Sequence, residues 1–245
     1  MIRIESLTKT FSVNPVLRGV SLHVPKGCLY GLIGPGAAGK SVLLKMIVGL
    51  ATPDEGRVLV DGKDVHQLSE LELSTFRLRF GMAFQNYALF DYLTVGENIA
   101  FPLRRLTKLS DEEVAERVAE RLKAVSLPGF EDRFPQGLSG GQKKRIAVAR
   151  ATVSKAEIVL YDEPAAGLDP VTSQRIFEML RAEQRAASAT VVMVSSDLDR
   201  LMTVTDRIGM LHKGRLIFDG TTAEAKAATD PIVRQFVHGL TEGPL

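Results

Sequence analysis

Hydrophobic and polar residues alternate along the first 25 positions of the chain. The apolar members of this pattern are Ile2, Ile4, Leu7, Val16, Leu17, Val20, Leu22 and Val24. A period of two is typical of strands that bury one face and expose the other. The pattern therefore predicts two antiparallel strands, joined near residues 11–15.

Further along, short apolar runs alternate with segments of helical spacing. The runs predict strands at residues 28–33, 57–61, 80–84, 157–161, 190–194, 207–211 and 215–218. The spacing between them predicts helices at residues 42–48, 71–79, 140–154 and 170–187. Uninterrupted apolar runs are typical of strands buried on both faces. The alternation predicts an α/β fold with a mostly parallel sheet that is covered by helices on both sides.

Residues 86–136 follow a purely helical pattern. Residues 110–113, Ser-Asp-Glu-Glu, have the form of a capping box, which starts a helix. An apolar stripe at helical spacing follows, formed by Val114, Val118, Leu122 and Val125. Another stripe precedes it at Val95, Ile99 and Leu103. We predict a helical insert whose stripe forms its own core rather than a surface for a partner.

Composition narrows the class of protein. The 245 residues are 45% hydrophobic and 24% charged, with a net charge of +2, which is ordinary for a globular protein and gives no strong field for nucleic acid. No apolar run reaches about 18 residues, and no basic-then-apolar leader is visible at the start. Cys28 is the only cysteine, so we predict a buried apolar role for it. These features predict a cytosolic protein, with attachment to a membrane protein left open.

The candidate chemistry begins at residues 34–41, Gly-Pro-Gly-Ala-Ala-Gly-Lys-Ser. This segment fits the phosphate-binding pattern G-x-x-x-x-G-K-[ST], and it stands between a predicted strand and a predicted helix. Glycines let backbone N–H groups point at an anion, and the helix N-terminus adds partial positive charge. Lys40 is predicted to reach the β- and γ-phosphates of ATP, and the Ser41 hydroxyl to occupy one position on Mg²⁺.

A pair of carboxylates ends another predicted strand, about 120 residues later. Asp162 can stand opposite Ser41 and hold Mg²⁺, and Glu163 can accept a proton from the attacking water as general base. Alone, two acidic residues at a strand end would equally suit a solvated terminus. The phosphate-binding pattern favours the catalytic interpretation.

Residues 138–142, Leu-Ser-Gly-Gly-Gln, open the helix after the insert. Together with the phosphate loop, Gln85, the two carboxylates and residues 166–169, Ala-Gly-Leu-Asp, they resemble the ATP-binding cassette (ABC) family over almost the whole chain. The resemblance implies a single ABC ATPase domain over residues 1–245. Its parts are a P-loop NTPase core with an antiparallel β subdomain (residues 1–85 and 155–220), an α-helical subdomain carrying the signature (residues 86–154) and a C-terminal helical tail (residues 221–245).

The resemblance also implies a site shared by two copies of the chain. The copies pair head to tail, and each ATP lies between one phosphate loop and the other copy's signature. Phe11 stacks on adenine beside Val16, unless Phe11 is ordinary core. The nucleotide contacts are Gly34, Pro35, Gly36, Ala37, Ala38, Gly39, Lys40, Ser41, Val42, Ser139, Gly140, Gly141, Gln142 and Asp169. The catalytic residues are Glu163, Lys40, Gln85 and Ser196, and the Mg²⁺ ligands are Ser41, Gln85 and Asp162.

Three positions depart from the family pattern. Ala37 replaces a glycine, and Val42 replaces a threonine that touches the α-phosphate. Ser196 replaces a histidine that touches the γ-phosphate. Serine is shorter by roughly 3 Å and carries no titrating charge. We therefore predict low basal turnover with ATP binding retained, and a clamp that binds ATP but hardly hydrolyses it stays an alternative.

The C-terminal segment, residues 230–244, resembles the ATPase of Mla-type phospholipid transporters, as do residues 84–90 and 97–103. The resemblance implies lipid movement between the inner membrane and the outer membrane or envelope, from the cytoplasmic face of the inner membrane. Implied partners are a permease docked near residues 85–103, an Mce-type lipid-binding protein and a small cytosolic regulator, with no nucleic acid. An amino-acid or lipoprotein system, with a generic tail helix, is the alternative. Val233, Phe236 and Val237 form an apolar stripe in this tail. In Mla-type ATPases the tail reaches the neighbouring subunit, and the resemblance implies the same here.

Overall fold

A computed structural model describes residues 1–245. The strands are β1 (Ile2–Phe11), β2 (Asn14–Val24), β3 (Leu29–Ile33), β4 (Glu55–Val60), β5 (Lys63–Asp64), β6 (Phe80–Ala83), β7 (Ile158–Asp162), β8 (Thr190–Val194), β9 (Arg207–His212) and β10 (Arg215–Thr221). The α-helices are α1 (Lys40–Ile47), α2 (Glu70–Arg77), α3 (Val95–Leu106), α4 (Asp111–Ala124), α5 (Gly140–Thr152), α6 (Pro170–Ala187), α7 (Leu198–Val204), α8 (Thr222–Lys226) and α9 (Pro231–His238).

Six strands form the central sheet, in the order β10-β9-β3-β8-β7-β6. Only the β9–β10 pair is antiparallel, and the other neighbours run parallel. Every residue of β3, β7 and β8 is buried, because helices and the second sheet cover both faces. The predicted parallel sheet is confirmed, and its carboxyl edge gathers the residues that follow β3, β7 and β8.

A second, antiparallel sheet has the order β2-β1-β4-β5. Its inward residues, among them Ile2, Ile4 and Val24, are buried, and the residues between them are more exposed. The buried face packs against α1 and against one face of the central sheet in a shared hydrophobic cluster. Cys28 belongs to this cluster, and burial raises the pKa of its thiol to about 11, as expected for an apolar role.

Helices α3, α4 and α5 lie within the predicted α-helical subdomain of residues 86–154. The predicted stripe of α4 is buried, with Val114, Val118 and Leu122 all part of the larger hydrophobic cluster. The capping box at its start is confirmed, because Glu113 N–H donates to Ser110 Oγ at 3.2 Å and Ser110 N–H donates to Glu113 Oε2 at 2.7 Å. The prediction that this stripe is subdomain core is therefore correct.

The C-terminal region differs most from the prediction. The short helix α7 lies outside every predicted helix, because seven residues are too few to show a clear period, whereas α8 and α9 fall within the predicted helical tail of residues 221–245. The α9 stripe is not free: Val233 is fully buried and Val237 is 9% exposed, and both pack within the chain's own core. The apolar stripe is therefore covered within the chain, and the contact of the tail with a neighbouring subunit stays a prediction. Residues 241–245 form no helix or strand, and Leu245 N–H donates to Gln235 Oε1 at 2.8 Å.

No helix is long and apolar enough to cross a membrane.

Candidate active site

The loop between β3 and α1 is held by close backbone packing at both ends. Gly34 has φ 140°, and a Cβ on it would lie 2.0 Å from the carbonyl oxygen of Leu211 on β9. Gly39 has φ 99° and starts α1, where a Cβ would lie 2.6 Å from the side chain of Leu17. Side chains at these positions would force the neighbouring backbone apart, so the loop shape requires glycine here.

Ala37 lies at the exposed tip of the same loop, with φ 59°. In this left-handed region a Cβ costs roughly 1–2 kcal/mol, and glycine avoids that cost. The departure from the family pattern at this position therefore coincides with backbone strain in the loop. Val42, the second departure, is half-buried and packs against the hydrophobic cluster under α1.

Lys40 folds back over the loop that precedes it. Its ammonium donates to the carbonyl oxygens of Gly34 at 2.7 Å and Pro35 at 2.8 Å. Burial lowers the pKa of Lys40, and the charges of Glu163 and Asp162 act against that shift. The cation is thus held at the mouth of the loop, where it can exchange these carbonyls for phosphate oxygens.

Ser41 and Asp162 meet across the edge of the sheet, although 121 positions separate them. Ser41 Oγ donates to Asp162 Oδ1 at 3.0 Å. Asp162, the last residue of β7, is 5% exposed, and burial raises the pKa of its carboxyl above the usual range. The hydrogen bond from Ser41 and the charges of nearby lysines oppose that shift.

This pair suits Mg²⁺ better than other metals. Mg²⁺ is commonly bound through one or two carboxylates together with substrate phosphates, and it keeps several waters. No group of three or more His, Cys, Asp or Glu side chains could hold a metal ion by itself. A hydroxyl and a carboxylate oxygen beside a phosphate loop are therefore a fitting donor set for Mg²⁺ that arrives with a nucleotide.

Glu163 is held by the loop after β8. Its Oε2 accepts hydrogen bonds from both the backbone N–H and the Oγ of Ser196, each at 3.0 Å. Its own N–H donates to the carbonyl of Val194 at 2.9 Å. The sequence indicates only that Ser196 stands in place of a histidine that touches the γ-phosphate, and it does not reveal this pairing with Glu163. The signal for it is the parallel register of β7 and β8, which sets Asp162 beside Val194.

The candidate base-stacking residue lies away from this edge. Phe11, the last residue of β1, is 47% exposed, so it is not ordinary core. The ammonium of Lys9 is 5.4 Å from its ring centroid and is paired with Asp54. Val16 is half-buried on β2 nearby. An aromatic face at the surface is available for stacking on a base.

The signature residues begin α5 and make no hydrogen bond to the phosphate loop. Ser139 caps the helix: its N–H donates to Gln142 Oε1 at 2.9 Å, and Gln142 N–H donates to Ser139 Oγ at 3.3 Å. Asp169 caps α6 by accepting from the N–H groups of residues 171 and 172. Gln85 is exposed. Within one chain, then, the phosphate loop, Lys40, Ser41, Asp162, Glu163 and Ser196 come together. Val16 adjoins the loop, since its carbonyl oxygen would lie 3.0 Å from a Cβ on Gly39. Ser139, Gln142 and Asp169 make no hydrogen bond to these residues.

An apolar groove opens beside the edge strand β6. Its cavity of about 380 Å³ is lined by Phe84, Ala88, Phe90, Phe101, Pro102 and Arg150, among others. The rings of Phe90 and Phe101 lie 5.0 Å apart. Arg150 on α5 donates to the carbonyls of Tyr87 at 2.9 Å and Ala88 at 2.7 Å, which fixes the wall of the groove to the signature helix. Tyr92 at its margin is 76% exposed.

Known proteins resemble this chain along its length. A family model described as ABC transporter matches residues 17–166. The probable ribonucleotide transport ATP-binding protein mkl of Mycobacterium leprae (strain TN) is 38% identical over 244 residues, covering 100% of this chain and 70% of that protein. Protein TRIGALACTOSYLDIACYLGLYCEROL 3, chloroplastic, of Arabidopsis thaliana is 37% identical over 262 residues, covering 100% of this chain and 75% of that protein.

Two further proteins are similar to this chain, one in sequence and one in structure. Methionine import ATP-binding protein MetN of Pasteurella multocida (strain Pm70) is 40% identical over 228 residues, covering 91% of this chain and 66% of that protein. The dimeric post-hydrolysis state of the ATP-binding cassette MJ0796, bound to ADP and Pi, has a TM-score of 0.86 at 32% identity, covering 91% of this chain and 99% of that one. With the phosphate loop, the paired carboxylates and the signature on one fold, the chain belongs to the ABC transporter family as one of its ATP-hydrolysing subunits.

Proposed function

We propose that this chain powers a phospholipid transporter by hydrolysing ATP between two copies of itself. As an ABC ATPase it uses ATP with Mg²⁺. The observation that carries the catalytic part is the arrangement at the carboxyl edge of the central sheet. There Ser41 contacts Asp162, and Glu163 is held by Ser196.

In this proposal, the phosphate loop and Lys40 bind the β- and γ-phosphates. Lys40 moves from the carbonyls of Gly34 and Pro35 to phosphate oxygens, which also satisfies its buried charge. Ser41 and Asp162 hold Mg²⁺, and the exposed Gln85 is free to join them. Mg²⁺ supplies charge neutralisation at the phosphates when it is bound. The strained tip at Ala37 gives its backbone N–H groups a fixed direction.

Glu163 is the proposed general base. Ser196 occupies its Oε2 with two hydrogen bonds, whereas its Oε1 has no hydrogen-bond partner. Oε1 is therefore the oxygen that accepts the proton of the attacking water. Because the Ser196 hydroxyl is engaged with the base, it supplies no donor to the γ-phosphate, and basal turnover is expected to be low.

The second half of each site comes from another copy of the chain. The signature at the start of α5 presents Ser139 and two glycines at the surface, and none of them is hydrogen-bonded to its own phosphate loop. The dimeric form of the similar MJ0796 cassette supports a pairing that brings the signature of one copy to the phosphate loop of the other. Phe11, exposed on β1, completes the site by stacking on the base.

The proposed cargo is a phospholipid, and its support comes from the tail and from one relative. The name of the Arabidopsis relative refers to a diacylglycerol lipid, which agrees with the resemblance of the tail to Mla-type ATPases. The proposed partners are a permease whose cytoplasmic helix enters the groove by β6, an Mce-type lipid-binding protein and a small regulator. This docking would place the chain on the cytoplasmic face of the inner membrane. The MetN relative supports a second candidate, an importer of methionine.

The two cargoes can be separated with the intact complex. The tagged chain is purified from its own cells in mild detergent, and its membrane partner is identified by mass spectrometry. Phosphate release is then measured in nanodiscs with added phospholipid or with added L-methionine. We expect copurified phospholipid and stimulation by phospholipid alone. Stimulation by methionine alone would overturn the lipid assignment and leave the ATPase chemistry untouched.

A further inference from the structure

One buried cation near the catalytic edge has no role in the proposed chemistry. Lys144 lies on α5, just after the signature, and is 8% exposed. It makes no salt bridge, and its ammonium donates to the carbonyl oxygen of Ala166 at 2.8 Å. Burying a charge costs free energy unless other groups compensate it. A lysine at such a position therefore calls for a reason beyond packing.

The carbonyl that Lys144 binds belongs to the turn that carries the general base. Ala166 N–H closes this turn on the carbonyl of Glu163 at 3.4 Å. Burial lowers the pKa of Lys144, while the charges of Glu163 and Asp162 act in the opposite direction. Lys144 thus restrains the far end of the Glu163–Ala166 turn, and Ser196 restrains the carboxylate itself.

The same lysine also faces the segment that lines the apolar groove. Its ammonium is 5.9 Å from the ring centroid of Tyr87, and a Cβ on Gly140 would lie 3.1 Å from the Tyr87 hydroxyl. Arg150, further along α5, holds the carbonyl of Tyr87 at 2.9 Å. One helix therefore contacts the Glu163–Ala166 turn and the segment beside the groove at the same time.

We propose that Lys144 is a positioning residue that ties the Glu163–Ala166 turn to the signature helix and to Tyr87, so that movement of the groove segment changes the placement of the general base. This inference rests on the proposed role of Glu163. A group placed about 1 Å from its productive position can cost roughly 10²-fold in rate, so a single restraint of this kind has a measurable effect on kcat.

The test uses the full chain and three substitutions. Lys144→Met keeps the length and burial of the side chain but removes the donor, and Lys144→Arg keeps a donor and the charge. Lys123→Met is the control, because Lys123 is exposed near the end of α4. The measurements are kcat and KM for ATP with Mg²⁺, and the thermal midpoint Tm.

We expect Lys144→Met to lower kcat by about tenfold, with KM within about twofold of wild type. Its Tm should not fall, since an apolar side chain costs less to bury than an uncompensated charge. Lys144→Arg should keep most of kcat, and Lys123→Met should match wild type.

Wild-type kcat in Lys144→Met would overturn the inference, and so would a parallel fall of kcat and Tm, which indicates simple structural damage. Loss of kcat in Lys144→Arg equal to that in Lys144→Met would also overturn it. Glu163→Gln, assayed beside them, separates a failure of this inference from a failure of the proposed general base. If Glu163→Gln is inactive and Lys144→Met is normal, only this inference fails; if Glu163→Gln turns over normally, the proposed general base is wrong.

Discussion

The two ends of the nucleotide site are built in different ways. The phosphate end stands at the edge of the buried parallel sheet, where Lys40, Ser41 and Asp162 are already held by hydrogen bonds. The base end stands on the antiparallel sheet, where Phe11 offers a ring that is 47% exposed. The phosphate end is enclosed and charged. The base end is open, and the Phe11 side chain has no hydrogen-bond donor.

The two ends differ in the free-energy cost of their buried charges. At the phosphate end, burial shifts the pKa of Lys40 down and that of Asp162 up, so both groups are pushed toward their neutral forms. This strain is relieved when phosphates and Mg²⁺ arrive, because each then gains an opposite charge. At the base end the candidate contact is the exposed ring of Phe11, which carries no charge, so stacking adds modest affinity. We therefore expect catalysis to depend on the sheet edge and only affinity to depend on Phe11.

Asp162→Asn is expected to have the largest effect, in opposite directions on activity and stability. Turnover with Mg²⁺ should fall by at least about 10²-fold, because the amide cannot hold the metal as a carboxylate does. The Tm of the nucleotide-free protein should rise by about 2–4 °C, the shift that roughly 1 kcal/mol produces in a domain of this size. Calorimetry and phosphate release test the two parts.

The pH dependence of this gain follows from the raised pKa of Asp162. Folding disfavours the charged carboxylate, so wild type loses stability as pH rises from the ordinary carboxyl range through the raised value. The advantage of Asp162→Asn should therefore be largest at neutral pH and should shrink toward pH about 4. A gain that grows as pH falls would contradict the assignment of the buried charge.

Lys40→Ala tests the cation of the phosphate end. It removes the one side-chain ammonium that can reach the β- and γ-phosphates, and charged hydrogen bonds contribute about 1.5–3 kcal/mol each. We expect the Kd for ATP to rise by about 10–10²-fold in equilibrium titration. Lys26→Ala, distant from the loop in the Pro25–Gly27 turn, is the control. Unchanged affinity in Lys40→Ala would remove this residue from the site.

Ser196→His and Ser196→Ala should move turnover in opposite directions. Both keep the backbone N–H that holds Glu163, but histidine adds a donor that can reach the γ-phosphate. We expect kcat to rise by about tenfold or more in Ser196→His, by analogy with oxyanion donors, while ATP affinity is retained. Ser196→Ala should lower kcat, since Glu163 loses one of its two restraints. Equal rates in wild type and Ser196→His would show that another group does this work.

Phe11→Ala should have the smallest effect and should leave kcat intact. Loss of one aromatic stack removes about 0.5–1.5 kcal/mol, which is about a 2–10-fold rise in KM or Kd for ATP. Val13→Ala, 86% exposed in the adjoining turn, is the matched control. A large fall of kcat in Phe11→Ala would contradict the claim that only ATP affinity depends on Phe11.

Sequence patterns predicted the parts of the molecule that local rules decide. The apolar runs of β3, β7 and β8 and the capping box of α4 each depend on neighbours in sequence, and the phosphate-loop pattern of residues 34–41 is visible as a local motif. The contact between Ser41 and Asp162 is also predicted, since Asp162 ends one strand of the parallel sheet and Ser41 belongs to the loop and helix that follow another.

Other features depend on tertiary packing and were missed. The hydrogen bonds from Ser196 to Glu163 follow from the register of β7 and β8. The contact of Lys144 with Ala166 joins a helix to a turn 22 positions away, and no sequence pattern links the two. The stripe of α9 was correctly seen as apolar, but a helical period does not tell which surface covers it. Here the chain's own core covers it.

The central claim is that Glu163 is the base that hydrolyses ATP between two copies of the chain. Glu163→Gln tests it most directly, because the amide keeps the shape and the hydrogen bonds from Ser196 but cannot accept a proton. Mass by light scattering and phosphate release are measured on the same sample with ATP and Mg²⁺. The account predicts a stable dimer that releases no phosphate above background. A monomer in the presence of ATP, or phosphate release at the wild-type rate, would contradict it.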